Sequence, residues 1–413
     1  MALARDCQPT SAVGPVQPAA PAYRSTDSVD QEDRVTIALN LLYLVPGEVG
    51  GTETYARGLL AGLAAEAGGR SFRCYVNSRA SDWPLPTDAA FTRVVCPVAG
   101  SRRWARYAFE QFRLPGLLQA DGADVVHSLG YVAPLAAPCP SVVTIHDMNY
   151  RSSAHVMSKS RRLVLSAFVG LSARRAAAII ADSDFSRREI CSVLGVSPRR
   201  VHVVHLAPRV WQAPAPTPTE ITATAERLGL HRPYALAFSS TSANKNIPRL
   251  LRAFEAARSA GAKHSLAIVG HLPADLLAEI AALTGRPGWL QTMGYLDEAS
   301  LRAVLRGADF LAFPSLYEGF GLPVLEAMSE GVPVTCARAA SLPEVAGEAA
   351  VYFDPTSEEE MAHALIRVAG DVALRERLVV EGRANAARFT WERAARETLA
   401  IYSSLSPTPI ATA

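Results

Sequence analysis

The sequence predicts an α/β protein with two Rossmann-like domains, each built on a doubly wound parallel sheet. Short apolar runs alternate with longer amphipathic stretches between residues 35 and 402, the order of elements that builds parallel sheets. A chain of 413 residues is also too long for one ordinary hydrophobic core. Three prolines within residues 214–218 divide the chain near its middle, and such a cluster is typical of a linker between domains.

Differences in composition along the chain set the predicted domain boundaries. The first residues are rich in proline, alanine and serine and have no hydrophobic period, so we expect a disordered leader, and the last residues resemble them. The predicted parts are a leader at residues 1–33, a first domain at 34–206, a linker at 207–230, a second domain at 231–388, a C-terminal helix at 389–404 and a disordered tail at 405–413.

Composition and charge exclude several classes of protein. Hydrophobic residues make up 49% of the chain and charged residues 19%, a balance typical of α/β domains. The net charge of +2 provides no general electrostatic footprint for nucleic acid. The chain has no apolar run long enough to cross a membrane, and its N-terminus lacks the apolar core of a signal peptide. We therefore expect a cytoplasmic protein that does not bind nucleic acid.

Cysteine and aspartate spacing gives no indication of a metal site. The six cysteines are scattered without the spacing of a zinc site or a disulfide framework, so we predict free thiols in a reducing compartment. The one Asp-x-Asp sequence, Asp182 to Asp184, is interpreted as a strand end followed by a helix cap. The sequence thus predicts no metal ligands and no cofactor.

The first domain opens with a strand, a glycine loop and a helix. The strand at residues 35–39 is followed by Gly50 and Gly51 and then by a helical pattern, as at the start of a doubly wound sheet. The loop lacks the Gly-x-Gly-x-x-Gly spacing, which disfavours dinucleotide binding. Two later strands end at or near His127 and His146. Because the carboxyl ends of parallel strands meet at one edge of a sheet, both histidines are candidate cleft residues.

The most informative stretch of the chain follows an apolar strand at residues 308–313. The chain turns through Gly319 and Gly321, where the missing Cβ lets backbone amides approach a ligand closely. Pro323 suits the first turn of a helix because its φ is already set and it has no N–H to leave unpaired. The free amides near Leu322 are therefore predicted to point from a helix N-terminus toward an anion.

Two carboxylates flank this turn. Glu318 lies in the predicted loop, and Glu326 is predicted in the first turn of the helix. Carboxylates repel phosphate but accept hydrogen bonds from sugar hydroxyls. An anion site between two carboxylates therefore predicts a ligand that carries both phosphate and sugar, such as a nucleotide-sugar. The alternative is an ordinary strand, loop and helix with solvated glutamates.

The sequence here resembles the retaining glycosyltransferases of family 4, which have the GT-B fold. The family's paired glutamates match Glu318-Gly-Phe-Gly-Leu-Pro-Val-Leu-Glu326, and the similarity extends through Gly331-Val-Pro-Val334 to Ser341-Leu-Pro-Glu-Val345. The resemblance implies two Rossmann-like domains that face each other across a cleft. It also implies that the last helix crosses back onto the first domain.

The resemblance implies donor-binding roles in the second domain. Lys245 would meet the donor diphosphate, Glu326 the ribose hydroxyls and Glu318 the transferred sugar. Other expected donor contacts are backbone groups of Gly294, Gly319, Phe320, Gly321 and Leu322, with Gly294 beside the nucleobase. A lone lysine is more often a solvated surface charge, and this alternative stays open for Lys245.

In the first domain, the resemblance implies that Gly50 and Gly51 line the cleft and that a histidine binds the donor sugar and orients the acceptor. His146 matches the family better than His127 does, and a structural role is open for both. One departure from the family concerns arginine. Many relatives have an arginine shortly before the lysine, where this chain has Ser239, Ser240 or Asn244. We expect weaker donor binding or an arginine supplied from elsewhere in the chain.

The reaction implied by the resemblance is transfer of a hexose, mannosyl or glucosyl, with retention at the anomeric carbon and without a metal. The donor would be a nucleotide-sugar and the acceptor a glycan, a lipid-linked molecule or a natural product. Front-face attack is favoured, with the leaving diphosphate taking the acceptor proton. Two other classes stay open: a nucleotide-sugar epimerase using a base such as Asp147, and a non-catalytic partner subunit.

A basic and aromatic segment at residues 102–113 is a candidate for acceptor-side contacts. It contains four arginines and four aromatic residues, Trp104, Tyr107, Phe109 and Phe112. This composition suits peripheral contact with an anionic membrane or a lipid-phosphate acceptor. A solvated amphipathic helix explains the same pattern. The sequence does not decide between these interpretations.

Overall fold

The computed structural model describes residues 35–406 apart from residues 49, 152–158, 241, 273, 275 and 279–287. The predicted leader lies outside the described residues, as does the predicted tail from residue 407 onward. Val49, in the glycine loop of the first domain, is also outside them.

The first sheet has seven parallel strands in the order β3-β2-β1-β4-β5-β6-β7. Its strands are β1 (Thr36–Leu41), β2 (Ser71–Asn77), β3 (Phe91–Cys96), β4 (Val125–Ser128), β5 (Ser141–Thr144), β6 (Ala178–Ala181) and β7 (Val201–Val203). The helices are α1 (Gly51–Ala65), α2 (Arg103–Phe112), α3 (Leu114–Ala120), α4 (Lys159–Arg175) and α5 (Asp184–Leu194). The central strands are buried on both faces because helices cover the sheet.

The second sheet has six parallel strands in the order β10-β9-β8-β11-β12-β13. Its strands are β8 (Tyr234–Phe238), β9 (Ser265–Val269), β10 (Leu290–Met293), β11 (Phe310–Phe313), β12 (Val334–Ala337) and β13 (Val351–Phe353). The described helices are α6 (Pro218–Arg227), α7 (Ile247–Ser259), α8 (Glu298–Gly307), α9 (Leu322–Ser329), α10 (Leu342–Ala346), α11 (Glu358–Gly370) and α12 (Val372–Ala386). The predicted pair of doubly wound parallel sheets is confirmed.

Both sheets reverse their strand order beside their first strand, between β1 and β4 and between β8 and β11. The loops that follow these strands diverge and leave a crevice at the carboxyl edge of the sheet, which is where open α/β sheets bind ligands. The glycine loop after β1, the residues after β8 and the loop after β11 all lie at such a point. The topology therefore places the predicted site residues at two facing crevices.

The connection between the sheets is only partly an extended linker. It has no regular structure up to Thr217, and α6 begins at Pro218. Thr217 caps this helix in a capping box with Glu220, in which each side chain accepts a hydrogen bond from the other residue's backbone. The Arg227 guanidinium donates to the Ser300 hydroxyl of α8 at 2.8 Å. The second half of the stretch predicted as linker thus packs against the second domain.

The last helix, α13 (Trp391–Leu405), returns to the first domain and packs along α1. Two glycines of α1 make room for it. A Cβ at Gly58 would lie 1.9 Å from the Trp391 ring, and one at Gly62 would lie 2.2 Å from the Trp391 carbonyl oxygen. The Trp391 indole donates to the Pro208 carbonyl at 2.9 Å, just after the first sheet ends. None of the helices that the structure describes is long and apolar enough to cross a membrane.

Candidate active site

A cavity of about 350 Å³ lies between the carboxyl edges of the two sheets. Ten of the twelve site residues predicted from the sequence line it. They are Gly50, Gly51, His146, Lys245, Glu318, Gly319, Phe320, Gly321, Leu322 and Glu326. The structure thus brings together residues that are up to 276 positions apart in the chain (326 − 50).

Lys245 and Glu318 form an ion pair in the wall of the cavity. Lys245 ends a short 3-10 turn after β8, and Asn246 follows it with a left-handed φ of 54°. The Lys245 ammonium lies 2.7 Å from Glu318 Oε1 and 5.0 Å from the centroid of the Phe313 ring. Because both side chains are mostly buried, at 18% and 16% exposed, solvent screens this pair only weakly. Lys245 is therefore part of the site and not a solvated surface charge.

Helix α9 begins at the cavity, as predicted. Gly321 is its N-cap with a φ of 111°, a conformation that favours glycine, and Pro323 occupies its first turn. The N-terminal dipole of α9 therefore faces the cavity. One prediction was wrong in detail. Glu326 is the fifth residue of α9 and begins its second turn, because the helix starts at Leu322.

Glu326 and Arg209 form a second ion pair that lines the cavity. The Glu326 carboxyl is 5% exposed, and its Oε1 accepts a hydrogen bond from Arg209 Nε at 3.2 Å. Burial raises the pKa of Glu326 above its ordinary value, and the Arg209 guanidinium partly offsets this effect. The guanidinium also lies over the Trp211 ring, 5.4 Å from its centroid. Arg209 therefore keeps Glu326 closer to its ionised form.

The loop after β11 lies directly against the first domain at Gly319. A Cβ at this position would lie 2.2 Å from the His146 carbonyl oxygen, so only glycine fits without a shift of backbone. The hydroxyls of Ser183 and Ser186 donate to the Gly319 carbonyl at 2.6 Å and 3.0 Å. These contacts join the two walls of the cavity beside Glu318.

The glycine loop after β1 approaches the N-terminus of α9. Gly50 is the N-cap of α1 with a φ of 55°, and Gly51 starts that helix. A Cβ at Gly51 would lie 3.7 Å from the Leu322 side chain, which is ordinary van der Waals contact. Two helix N-termini, those of α1 and α9, therefore border the same cavity.

His146 lines the cavity, but its ring nitrogens are both engaged within the first domain. Nδ1 lies 2.8 Å from Asp182 Oδ2, and Nε2 lies 3.0 Å from the Leu129 carbonyl oxygen. Because both partners are acceptors, both nitrogens must carry protons. Burial alone would lower the pKa of His146, but the Asp182 carboxylate and the Leu129 carbonyl raise it above the ordinary value. The implied hydrogen bond from this ring to a substrate has no free nitrogen to make it.

Two predicted site residues do not line the cavity. His127 is fully buried, and its nitrogens lie 2.5 Å from the Tyr402 hydroxyl and 2.7 Å from the Thr144 hydroxyl. Burial lowers its pKa to about 3. Both ring nitrogens are engaged away from the cavity, so the catalytic role expected for His127 stays a prediction that these contacts do not support. Gly294 is exposed after β10, and its carbonyl accepts from the Gly270 amide at 3.2 Å.

Sequence reasoning missed several cavity residues. Arg209 follows the first sheet and was assigned to a linker, although an arginine from elsewhere was expected near the donor site. Asp182 was interpreted only as a strand end. Tyr131 was not singled out, and Asp147 was named only as the possible base of an epimerase. Both line the cavity, and the Tyr131 hydroxyl donates to Asp147 at 3.1 Å. Burial raises the pKa of Asp147. The signal available for Asp147 and Asp182 was their position just after apolar strands.

Two family models match the chain, one to each sheet. The model described as Glycosyltransferase Family 4 matches residues 49–207, and the model described as Glycosyl transferases group 1 matches residues 232–371. Together they cover both walls of the cavity.

Curated relatives agree with these matches. The chain is 31% identical over 269 residues to O-antigen chain mannosyltransferase B of Escherichia coli, covering 64% of this chain and 70% of that protein. It is 30% identical over 234 residues to MMP alpha-(1->4)-mannosyltransferase of Mycolicibacterium hassiacum, covering 56% of this chain and 54% of that protein. Among solved structures, Anabaena HepE in complex with UDP and glucose superposes with a TM-score of 0.68 at 19% identity, over 90% of this chain and 100% of HepE.

Two parallel-sheet domains that face each other across this cleft define a GT-B glycosyltransferase, and the expected fold is confirmed. The chain belongs to glycosyltransferase family 4.

Proposed function

We propose that this glycosyltransferase transfers a hexosyl group, mannosyl before glucosyl, from a nucleoside diphosphate donor with retention at the anomeric carbon and without a metal ion. The names of the two mannosyltransferase relatives support the mannosyl group. The complex of HepE with UDP and glucose supports a nucleotide-sugar donor. The acceptor is a glycan, a lipid-linked molecule or a natural product.

The observation that carries the proposal is the charge pattern of the cavity. Two ion pairs, Lys245 with Glu318 and Arg209 with Glu326, line the cavity together with the N-terminus of α9. A diphosphate bound at this N-terminus would be compensated by cations of the same cavity, while the carboxylates accept hydrogen bonds from hydroxyls of the ligand. These groups suit a ligand that carries a ribose, a diphosphate and a hexose.

In the proposed reaction the bond between the anomeric carbon and the leaving phosphate oxygen breaks, and the acceptor oxygen bonds to the same face of that carbon. The acceptor proton passes to the leaving diphosphate. Lys245 and the amides at the start of α9 stabilise the negative charge that develops on the diphosphate. Glu318 is ill suited to form a covalent intermediate because its Oε1 is bound to the Lys245 ammonium. Trapping of Glu318 by a fluorinated donor would contradict this view.

The donor is tested first by thermal shift with GDP, UDP, ADP and dTDP. A nucleotide at 100 times its dissociation constant stabilises the folded protein by about 2.7 kcal/mol, which shows as a clear rise in Tm. We expect one nucleotide to raise Tm at a much lower concentration than the other three require. If none of the four stabilises the protein, the non-catalytic partner subunit is the better description.

Stereochemistry is tested with the sugar donor of the preferred nucleotide. Proton NMR follows the sugar released to water or transferred to a panel of mannosides, and retention requires that the first product keep the α configuration of the donor. A β product contradicts the proposed mechanism. Formation of an epimer in the absence of an acceptor identifies an epimerase, for which the buried Asp147 is the candidate base. Activity that survives EDTA supports the metal-free reaction.

A cytoplasmic location and peripheral membrane contact complete the proposal. The observation that supports membrane contact is the outer face of α2, where Trp104 is 67% exposed and Phe112 is 82% exposed. Arginines at positions 102, 103 and 113 flank these rings on the surface. Exposed aromatic rings bordered by cations suit the interface of an anionic bilayer.

A further inference from the structure

Asp182 has one carboxylate oxygen that the described part of the protein leaves without a hydrogen-bond partner. The residue follows β6 in the wall of the cavity and is 3% exposed. Its Oδ2 accepts from His146 Nδ1 at 2.8 Å, whereas no described group hydrogen-bonds to Oδ1. A buried polar atom without a partner destabilises the folded protein, and the cost is larger when the group is charged. Such an atom in a ligand cavity is a candidate for ligand binding.

The hydrogen bonds of His146 make Asp182 the only member of this pair with an open polar atom. Both imidazole nitrogens face acceptors, Asp182 on one side and the Leu129 carbonyl on the other, so the ring is an imidazolium without a free N–H. The Tyr55 ring lies edge-on to it, 4.9 Å between centroids, and limits its rotation. His146 therefore fixes the carboxylate and compensates its charge, and Asp182 Oδ1 is left to accept a hydrogen bond.

The neighbours of Asp182 connect it to Glu318. The next residue, Ser183, donates to the Gly319 carbonyl at 2.6 Å, and Gly319 follows Glu318. Asp182 and Glu318, the carboxylate assigned to the transferred sugar, both line the cavity. A hexose hydroxyl is a neutral donor that suits a lone carboxylate oxygen.

We propose that Asp182 binds a hydroxyl of the transferred hexose through Oδ1 and that His146 is the positioning residue for this carboxylate. The inference rests on the proposed nucleotide-sugar donor. It assigns sugar recognition to both domains, with Glu318 on one wall and Asp182 on the other. A site of this kind selects among hexoses by whether a hydroxyl reaches Oδ1.

The test compares a nucleotide with its sugar conjugate in the full-length protein. GDP and GDP-mannose are titrated by calorimetry into wild type, Asp182→Ala and Asp182→Asn, with UDP and UDP-glucose as the second pair. For Asp182→Ala we expect the affinity for the sugar conjugate to fall about 10-fold to 100-fold, the range of one hydrogen bond to a charged group. The affinity for the free nucleotide should stay within about twofold of wild type, since no change to the diphosphate or ribose contacts is made.

The asparagine variant separates a binding role from a structural one. Its amide can donate to His146 Nδ1 and leave an uncharged oxygen in the place of Oδ1, so we expect a smaller loss than for alanine. Asp184→Asn is the matched control, because the Asp184 carboxyl is 46% exposed and pairs with Arg187 and Arg188 outside the cavity. Melting temperatures of all variants confirm that each one folds.

Deoxy donors identify the hydroxyl. GDP-mannose analogues lacking the 2-, 3-, 4- or 6-hydroxyl are bound to wild type and to Asp182→Ala. We expect wild type to bind one of these analogues more weakly than it binds GDP-mannose. Asp182→Ala should bind that analogue and GDP-mannose with similar affinity. The assignment of Asp182 would be overturned if, for every analogue, the loss of affinity from the missing hydroxyl adds to the loss from the substitution. It would also be overturned if the substitution lowered the affinity for the nucleotide and for the sugar conjugate equally. Failure of wild type to bind any nucleotide would instead overturn the proposed function.

Discussion

At the scale of single residues, the cavity is organised by two carboxylate–cation pairs. Glu318 pairs with Lys245 and Glu326 with Arg209, at 2.7 Å and 3.2 Å. Removal of one member of a mostly buried pair leaves the other without compensation. Changes at the two cations should therefore have different and separable effects on binding and on catalysis.

Replacement of Lys245 by methionine should reduce transfer strongly. In the proposed reaction the ammonium stabilises charge on the leaving diphosphate, and the loss of one such group costs on the order of 100-fold to 1000-fold in kcat. Steady-state assays with the donor identified by thermal shift give the number. Lys263→Met is the control, because Lys263 is exposed outside the cavity. A Lys245→Met variant with wild-type kcat would contradict the assigned role.

Replacement of Arg209 by methionine should change the pH dependence of donor binding. Burial already raises the pKa of Glu326, and loss of the guanidinium raises it further. As the pH falls through that pKa, the carboxyl takes up a proton and loses acceptor capacity for ribose hydroxyls. The acid side of the affinity profile should therefore move to higher pH. Calorimetric titrations of nucleotide between pH 5 and pH 8 measure the shift.

The control for Arg209 is Arg252→Met, which breaks an exposed ion pair with Glu358 between two residues that do not line the cavity. It should leave the profile unchanged. A uniform loss of affinity in Arg209→Met, with no movement of the acid limb, would mean that the arginine contacts the ligand without affecting Glu326.

At the scale of elements, α2 has two faces with different chemistry. Its outer face exposes Trp104 and Phe112, while its inner face carries Tyr107 and Glu110 into the first domain. The Tyr107 ring packs on Phe168 of α4, 4.9 Å between centroids. The outer face of α2 is thus available for contacts with other molecules, and the inner face packs in the first domain. The two faces lead to separate predictions.

The outer face predicts binding to anionic vesicles. The double variant Trp104→Ser with Phe112→Ser should sediment less with vesicles of phosphatidylglycerol and phosphatidylcholine than wild type does, because two interfacial rings are lost. Binding of wild type should weaken in high salt, since the arginines act through screened charge. Val380→Ser is the control, as Val380 is 69% exposed on α12 in the other domain. Equal sedimentation of the double variant would leave α2 as a solvated helix.

The inner face of α2 predicts a pH-dependent stability. Burial raises the pKa of Glu110 to about 7, although Arg106 and Asn40 act in the opposite direction. The folded state therefore retains a proton that the unfolded state loses above pH 4.5, so stability falls as the pH rises from about 4.5 to about 7. The free energy of unfolding falls by at most roughly 3 kcal/mol, because the pKa in the folded state is about 2.5 above the ordinary value.

Glu110→Gln removes this titration. We expect the variant to be more stable than wild type at pH 8, where wild type must ionise a buried carboxyl, and similar to it at pH 4.5. Urea denaturation at both pH values measures the difference. If Glu110→Gln were destabilised equally at pH 4.5 and pH 8, the result would show that the Glu110 side chain stabilises the fold through its packing and that its charge does not destabilise it.

At the scale of the whole molecule, Glu344 of α10 holds the two sheets together across the cleft. Its carboxylate accepts from the Asp184 and Phe185 amides at 2.7 Å and 3.2 Å, and from His205 Nε2 at 2.8 Å. Burial opposes its ionised form, but these hydrogen bonds hold the pKa of Glu344 below its ordinary value. One side chain of the second domain thus caps a helix of the first.

Glu344→Ala should loosen the closed arrangement. The variant leaves the first amides of α5 without their acceptor, and we expect a larger radius of gyration by small-angle X-ray scattering and a weaker affinity for the donor nucleotide. Glu359→Ala is the control, because Glu359 is exposed in the first turn of α11. An unchanged scattering profile would show that the glycine contact and α13 are sufficient to hold the domains.

Local sequence patterns predicted the two sheets, the strand–loop–helix units that open them and most of the cavity. Gly50, Glu318, Gly321 and Pro323 could be assigned because turns and helix starts depend on local backbone preferences. Strands β2 and β12 were not predicted, since their alternating or short patterns are weak without their neighbours. Parallel strands pair across long stretches of chain, and local sequence carries little information about that pairing.

The partners of each side chain follow from the packing of distant segments. His127 lies near the end of β4 and His146 follows β5, yet one is enclosed by Tyr402 from the returning helix and the other is bound by Asp182. Arg209 lies far from Lys245 and Glu326 in the sequence, yet it lines the same cavity and pairs with Glu326. Hydrogen bonds and burial fix the charge of a group, and both depend on residues distant in sequence. Turn geometry is local, whereas electrostatic environment is not.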